Sequence, residues 1–179
     1  MDKILVIDDS PVQTTFLCSI LKDDYELTAR HTAQEGLQAA REGGWSLILL
    51  DVVMPGMDGF QLIQALKADE ATRYVPVILI TSLADVQYEE RGLVLGAVDY
   101  VTKPFNPAII KARVNTHVQL YRYRTRFMQQ AMVDGLTGVS NRRSYEERSI
   151  ARWREAVRFG LPFSVCMFDI DKFKLYNDT

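Results

Sequence analysis

The chain has 179 residues, of which 47% are hydrophobic and 25% charged, and its formal net charge is -2. That length suits one complete domain plus a smaller piece, and the composition supplies both a core and a wetted surface. The near-neutral balance argues against a dedicated nucleic-acid binder, no apolar run approaches a membrane span, and Met1-Asp2-Lys3 leads straight into a strand pattern without a signal-peptide layout.

The two cysteines, Cys18 and Cys166, lie far apart in apolar surroundings and form no disulfide framework or metal-spacing pattern. Buried free thiols in a reducing, cytoplasmic compartment are the expectation.

From residue 3 to about 105, strand and helix signals alternate. Ile4 to Ile7 is a short continuous apolar run, as expected of a strand covered on both faces. Asp8-Asp9-Ser10-Pro11 follows, in which Ser10 can cap a helix and Pro11 suits its first turn. Phe16, Leu17, Ile20 and Leu21 recur at helical spacing. Glu26 to Arg30 reads as a second strand, and Thr32 with Glu35 has the spacing of a capping box for a helix reaching about Arg41. Leu47 to Leu50 is a third strand, closed by Asp51. Met54 to Gly59 is a loop by its turn chemistry, and Phe60, Leu62, Ile63 and Leu66 then show helical spacing. Val77 to Ile80 is a fourth strand ending in Thr81-Ser82. A helix is expected over Val86 to Leu95, stopped by Gly96, and Val98 to Thr102 is a fifth strand ending in Lys103-Pro104. This alternation implies an α/β domain, a five-stranded parallel sheet with helices on both faces.

The chemistry gathers at the strand ends, where open parallel sheets bind ligands. Asp8, Asp9, Asp51, Thr81 and Lys103 each fall at the carboxyl end of an expected strand. Any one acid there could simply be a solvated loop residue. Three carboxylates converging in one crevice repel one another, and a cation is the simplest reason to gather them. Hard oxygen donors without a nearby cysteine favour Mg²⁺ over zinc. A lysine and a hydroxyl beside that cation would cradle a phosphoryl group, whose transfer depends mainly on positioning and charge neutralisation.

With those residues in place, the segment 1–105 resembles a response-regulator receiver domain, a flavodoxin-like fold. The matching residues are Asp8-Asp9, Asp51 with Met54-Pro55 after it, Thr81 and Lys103-Pro104. The resemblance implies that Asp51 is the phosphoacceptor. It implies that Asp9 ligates Mg²⁺ directly and Asp8 through water, with the backbone carbonyl of Val53 completing the metal sphere. Lys103 would pair with the acylphosphate, aided by a cis peptide at Lys103-Pro104. Thr81 and Tyr100 fit the family's switch pair, although a strand tyrosine also serves simply as core. The implied donor is a sensor histidine kinase or a phosphotransfer protein.

Residues 106–133 read as the last receiver helix continuing as a linker helix. Asn106-Pro107 is a cap and a first-turn proline, and neither proline, glycine nor an acid occurs from Ala108 to Val133. Val114, Val118, Tyr121, Met128 and Met132 recur at intervals of three and four apart from the interruption at Thr125, which suits a dimer seam. For Ile109 to Val118 the preferred reading is docking on the helix's own domain. Lys111, Arg113, Arg122, Arg124 and Arg126 make the segment basic; a solvated helix face is preferred over DNA or membrane contact.

In residues 134–179, Asp134-Gly-Leu-Thr-Gly-Val-Ser-Asn-Arg-Arg143 leads into a helical pattern through Tyr145, Ile150, Trp153 and Val157, which Gly160-Leu161-Pro162 breaks. Phe163 to Phe168 reads as a buried strand with Asp169-Ile170-Asp171 at its end. Alone, that is equally a strand followed by a solvated acidic turn. In company with the preceding motif it resembles the N-terminal part of GGDEF-type diguanylate cyclases, an incomplete α+β fragment. The resemblance implies that Asp169 and the carbonyl of Ile170 hold Mg²⁺, that Lys174 meets the GTP phosphates and that Asn177 reads guanine. The family's Gly-Gly-(Asp/Glu)-Glu-Phe turn does not occur in the sequence. The expectation is therefore a chain that does not itself make cyclic di-GMP, from a parent whose cyclase joins two GTP molecules. A piece of about 45 residues also buries too little surface for reliable independent stability, and is expected to be disordered, swapped or held by another chain.

The leading functional expectation is a two-component response regulator. Phosphoryl transfer to Asp51 would control, through a phosphorylation-dependent homodimer, a diguanylate cyclase output. The alternative is a receiver signalling through protein partners with a non-catalytic GGDEF remnant. A DNA-binding regulator is disfavoured, because no helix–turn–helix pattern follows residue 134.

Overall fold

In a computed structural model, residues 1–82, 86–134, 136–169 and 171–172 are described. They form two compact units, Met1–Arg126 and Phe127–Thr179.

The first unit is built on five parallel strands, β1 (Lys3–Ile7), β2 (Glu26–Arg30), β3 (Trp45–Leu50), β4 (Val77–Thr81) and β5 (Asp99–Thr102), in spatial order β2-β1-β3-β4-β5. The helices are α1 (Pro11–Leu21), α2 (Ala33–Glu42), α3 (Gly59–Ala68), α4 (Val86–Val94) and α5 (Pro107–Gln130). Strand alternation divides the core in two. Leu5, Ile7, Ile48, Leu50 and Leu79 pack with Ala39, Leu62, Ile63 and Leu66 from α2 and α3. Ile4, Val6, Leu47, Leu49, Ile78 and Ile80 face the other way, against Leu17, Leu21, Ile110, Val114 and Val118 from α1 and α5. Both faces of β1, β3 and β4 are therefore covered, which is why these strands are apolar throughout. Removing one such Leu or Ile side chain back to Ala would cost about 2–5 kcal/mol.

Local chemistry sets the helix starts. The Ser10 hydroxyl accepts from Gln13 N at 3.4 Å, with Pro11 as the first residue of α1. Thr32 caps α2 by accepting from Glu35 N at 3.2 Å, but the Glu35 carboxylate turns to His31 N and leaves the expected reciprocal box half-made. The full capping box lies at α3. There the Asp58 carboxylate accepts from Gln61 N at 2.7 Å, while Asp58 N donates to Gln61 Oε1 at 3.1 Å.

Within α1, Leu17 and Leu21 turn inward, while Phe16 is 45% exposed and stacks on Phe105 with ring centroids 5.9 Å apart. The expectation of two buried thiols fails: Cys18 is half-buried and Cys166 is exposed. The basic residues of α5 are all exposed, as a solvated face requires, and three of them meet aspartates there: Lys111 pairs with Asp24 at 2.6 Å, Arg122 with Asp2 at 3.5 Å, and Arg113 with Asp99. Such exposed pairs add little stability each, and the face of α5 that meets the sheet is the one that carries Ile110, Val114 and Val118.

Along α5 the proposed seam divides. Ile110, Val114 and Val118 are buried in the receiver core, Tyr121 is half-buried, and Leu120, Tyr123, Phe127 and Met128 are exposed.

In the second unit, Asp134 Oδ1 accepts from Thr137 N at 2.9 Å and Thr137 Oγ1 at 2.8 Å, and one antiparallel bridge joins Val133 to Ser140. Asn141 caps α6 (Arg142–Phe159) by accepting from Ser144 N at 3.0 Å, and Gly160 ends it in the left-handed region at φ 65°. The strand expected over Phe163 to Phe168 does not form: Val165, Met167 and Phe168 are 59%, 92% and 89% exposed. An apolar run needs a neighbouring strand to satisfy its backbone, and among the described residues none lies beside it. No helix among the described residues is long and apolar enough to cross a membrane.

Candidate functional site

The order β2-β1-β3 means that the chain leaves β1 toward one side of the sheet and β3 toward the other, and the crevice opens between their carboxyl ends. Asp8 follows β1 directly and is 2% exposed; Asp51 follows β3 and is 6% exposed. Asp9 is exposed at the rim. One carboxylate oxygen from each of the three lies within 4.8 Å of the others.

Lys103 arrives from the end of β5, after its own N–H donates to Thr81 O at 2.7 Å. Its Nζ donates to Asp8 Oδ2 at 2.8 Å and Asp51 Oδ2 at 3.1 Å, and the Lys103-Pro104 peptide is cis. The remaining oxygens also have partners. Ser10 N donates to Asp8 Oδ1 at 2.9 Å, and Val53 N reaches Asp51 Oδ1 at 3.4 Å. His31 Nδ1 lies 3.1 Å from the Asp8 carbonyl oxygen, a contact that nothing in its sequence position announces.

The electrostatics leave an excess of negative charge. Burial pushes the Asp51 carboxyl above the ordinary carboxylate range and Asp8 adds to that, against the lowering by Lys103. Burial works against the Lys103 ammonium, but the Asp8 hydrogen bond and the Asp51 charge outweigh it and hold its pKa above the ordinary lysine value. One ammonium cannot balance three carboxylates. An all-oxygen donor set this tight fits a hard divalent cation, so the residues present are compatible with such an ion.

Thr81 is fully buried at the end of β4, and Tyr100 on β5 is 6% exposed with its phenol pKa raised by burial, then by Glu89 and Asp51. Tyr100 thus packs inward, beside Leu79 and the α4 glycine Gly92. The structure brings Asp8, Asp9, Asp51 and Lys103 together, with Val53 on the adjoining loop. Asp169 is exposed in the second unit, and Ile170, Lys174 and Asn177 lie outside the described residues.

Sequence reasoning missed Gly59. A Cβ on this residue would lie 2.3 Å from the Asp51 carbonyl oxygen and 2.7 Å from Val52 Cα, so α3 can begin there only with glycine. Its run in the sequence, Met57-Asp58-Gly59, signals a turn but not that contact.

Comparison with known proteins accords with this arrangement. The response regulator receiver domain model matches residues 4–115, and the diguanylate cyclase GGDEF domain model matches residues 131–179. A probable cyclic di-GMP phosphodiesterase of Vibrio cholerae is 36% identical over 158 residues, 88% of this chain and 35% of that protein. Response regulator PleD of Caulobacter vibrioides is 38% identical over 115 residues, 64% of this chain and 25% of that protein. The chain therefore spans only about a quarter to a third of the length of these two relatives. Among solved structures, the Vibrio cholerae chemotaxis protein CheY4 superposes with a TM-score of 0.62 at 27% identity, over 65% of this chain and 98% of that one. With a family match over most of its length and the doubly wound sheet that the family shares, this chain belongs to the response regulator receiver family, joined to the opening part of a GGDEF domain.

Proposed function

We propose that the first unit is a phosphoryl switch in which Asp51 is the acceptor, and that it controls a cyclic di-GMP enzyme domain beginning in the second unit. The observation that carries this reading is Lys103, whose ammonium spans Asp8 and Asp51 at 2.8 and 3.1 Å. A phosphohistidine on a histidine kinase or phosphotransfer protein is the donor. One carboxylate oxygen of Asp51 attacks phosphorus in line, the P–N bond breaks and the imidazole nitrogen takes the electron pair. Mg²⁺, held by Asp8, Asp9, Asp51 and the Val53 carbonyl, supplies neutralising charge when bound. Lys103 then follows the new phosphoryl oxygens, and Thr81 offers its hydroxyl to them. Modification adds about −1.5 to −2 of charge, enough to redraw local hydrogen bonds. Tyr100 responds to the space that Thr81 leaves.

The output reading is dimerisation along the exposed side of α5, which brings two cyclase domains together. Asp169, Ile170, Lys174 and Asn177 are the residues assigned there to metal and GTP. The Vibrio relative supports a second reading. Its similarity runs past the receiver into α5 and α6, and its name denotes breakdown rather than synthesis of cyclic di-GMP. A receiver paired with a non-catalytic GGDEF segment accommodates that.

The test is phosphoryl uptake from acetyl phosphate with Mg²⁺, read by intact mass and by oligomer size. The expected outcome is a single added phosphoryl group in the wild type, none in Asp51→Asn, and a larger species only when modified. Equal labelling of Asp51→Asn would sink the assignment of the acceptor. Labelling without a change in size would remove the dimer output and leave the partner-binding alternative.

A further inference from the structure

At the opposite end of the sheet from Asp51, beside the amino ends of β4 and β5, a cavity of about 420 Å³ opens within the first unit. Its walls come from the end of α3 (Lys67), the loop before β4 (Arg73 and Tyr74) and the second half of α5 (His117, Tyr121 and Arg124). Three of these six are permanent or near-permanent cations and two are tyrosines.

The cations are unusual in what they meet. On α5, Lys111, Arg113 and Arg122 each find an aspartate, whereas Arg124 lies over the Tyr74 ring, 4.7 Å from its centroid. Arg73 lies 4.8 Å from the same centroid. Neither guanidinium forms an ion pair with a carboxylate among the described residues. The nearby acids are engaged elsewhere: Asp69 with Arg41, and Asp99 with Arg113 and with His117 at 3.4 Å. Lys67 Nζ donates to the carbonyls of Arg73 and Val75 at 3.2 and 2.8 Å. Burial, and then the charge of Arg124, lower its pKa to about 8. Two guanidiniums at the cavity therefore rest on an aromatic ring and not on a carboxylate, and their exposed fork donors can meet an anion. Guanidinium forks favour phosphate oxygens, aromatic walls favour a flat apolar body, and the volume lies in the range of small-ligand sites.

We propose that this cavity is a binding site for a nucleoside phosphate, with Arg73 and Arg124 holding the phosphates and Tyr121 walling the base. The ligand would tie α5 to the loop before β4 close to the end of the first unit, acting as a second input on the linker helix separate from the phosphoacceptor. The inference does not depend on Asp51 taking a phosphoryl group.

The test is titration of the full chain with ADP, GDP and pyrophosphate in EDTA, so that metal-dependent binding at the carboxylates is silent, followed by backbone amide NMR. At least one nucleotide is expected to bind saturably and about ten-fold tighter than pyrophosphate, moving the Gly96 and Tyr121 resonances and not those of Asp8 or Asp51. Arg73→Gln/Arg124→Gln should weaken it about ten-fold or more with an unchanged thermal midpoint. Arg126→Gln, outside this cavity, and Asp51→Asn should leave it intact. Saturable binding that survives the double substitution overturns the assignment, as does the absence of saturable binding. Equal affinity for pyrophosphate overturns the nucleoside part and with it the proposal.

Discussion

Gly59 begins α3 directly against the backbone of Asp51: a Cβ there would lie 2.3 Å from the Asp51 carbonyl oxygen, while Gly59 N donates to Val52 O at 2.9 Å. The obstruction is backbone, which cannot rotate aside as a side chain can. Gly59→Ala must therefore move either the start of α3 or the loop that carries the acceptor. The expected cost is about 1–3 kcal/mol in urea unfolding, the range for overpacking a tight site. Phosphoryl uptake from acetyl phosphate should also slow, because the Asp51 carboxylate shifts relative to Lys103. Wild-type stability together with wild-type uptake would show that the loop yields freely.

Lys103 offers a second measurement, since it is the ammonium between two buried carboxylates. Lys103→Met leaves Asp8 and Asp51 facing each other without a shared counter-charge. The expected loss is about 1–3 kcal/mol at neutral pH, below the range for fully buried pairs because the lysine keeps solvent contact. The sign with pH follows from Asp51, whose folded pKa already lies above its unfolded value because of burial, and whose raising Lys103 opposes. In the variant the folded state holds that proton more strongly still. The penalty should therefore grow as pH rises out of the carboxylate range and fade in acid, where Asp51 is neutral in both the folded and the unfolded state. A penalty independent of pH between mild acid and neutrality would mean that lost packing, not charge, is responsible.

The contrast between these two residues shows what the sequence carries. Asp8, Asp51, Thr81 and Lys103 are legible because each ends an apolar run, and a parallel sheet brings such ends to one edge. The strands themselves are legible because β1, β3 and β4 are covered on both faces. Gly59 is not legible as a contact, since its neighbour lies in a different element and glycine marks any turn. The aspartate partners of the α5 cations, at Asp2, Asp24 and Asp99, come from distant positions that no helical periodicity encodes. Phe163 to Phe168 fails for a related reason: an apolar run states a preference, and pairing decides it.

Lys67 gives a prediction at the other end of the sheet. In the unfolded chain its ammonium titrates near the ordinary 10.5, but in the folded unit burial and Arg124 lower it to about 8. The folded state thus gives up its proton first, and between these values the unfolded state binds more protons. Stability from this group must rise with pH across that window, and below it the buried ammonium is a constant cost. Lys67→Met removes the titration. The difference in unfolding free energy between wild type and variant should shift in favour of the wild type from pH 8 upward. A flat difference would place the ammonium in solvent.

Asn141 carries the last prediction, because its side chain works in two directions. Its Oδ1 accepts from Ser144 N at 3.0 Å and caps α6, while its Nδ2 donates to Ala131 O at 2.8 Å, just past the end of α5. Asn141→Ser keeps an oxygen for the cap and lacks the amide donor; Asn141→Ala loses both. Loss of the cap should cost α6 about 0.5–2 kcal/mol, seen as lower helical circular dichroism in the alanine variant and little change in the serine variant. Loss of the donor should appear in both variants as faster hydrogen exchange at Val133 and Asp134, whose amides lie in the turn that Asn141 holds. If the serine variant protects those amides as well as asparagine does, the Asp134 carboxylate and its bonds to Thr137 hold the turn without help.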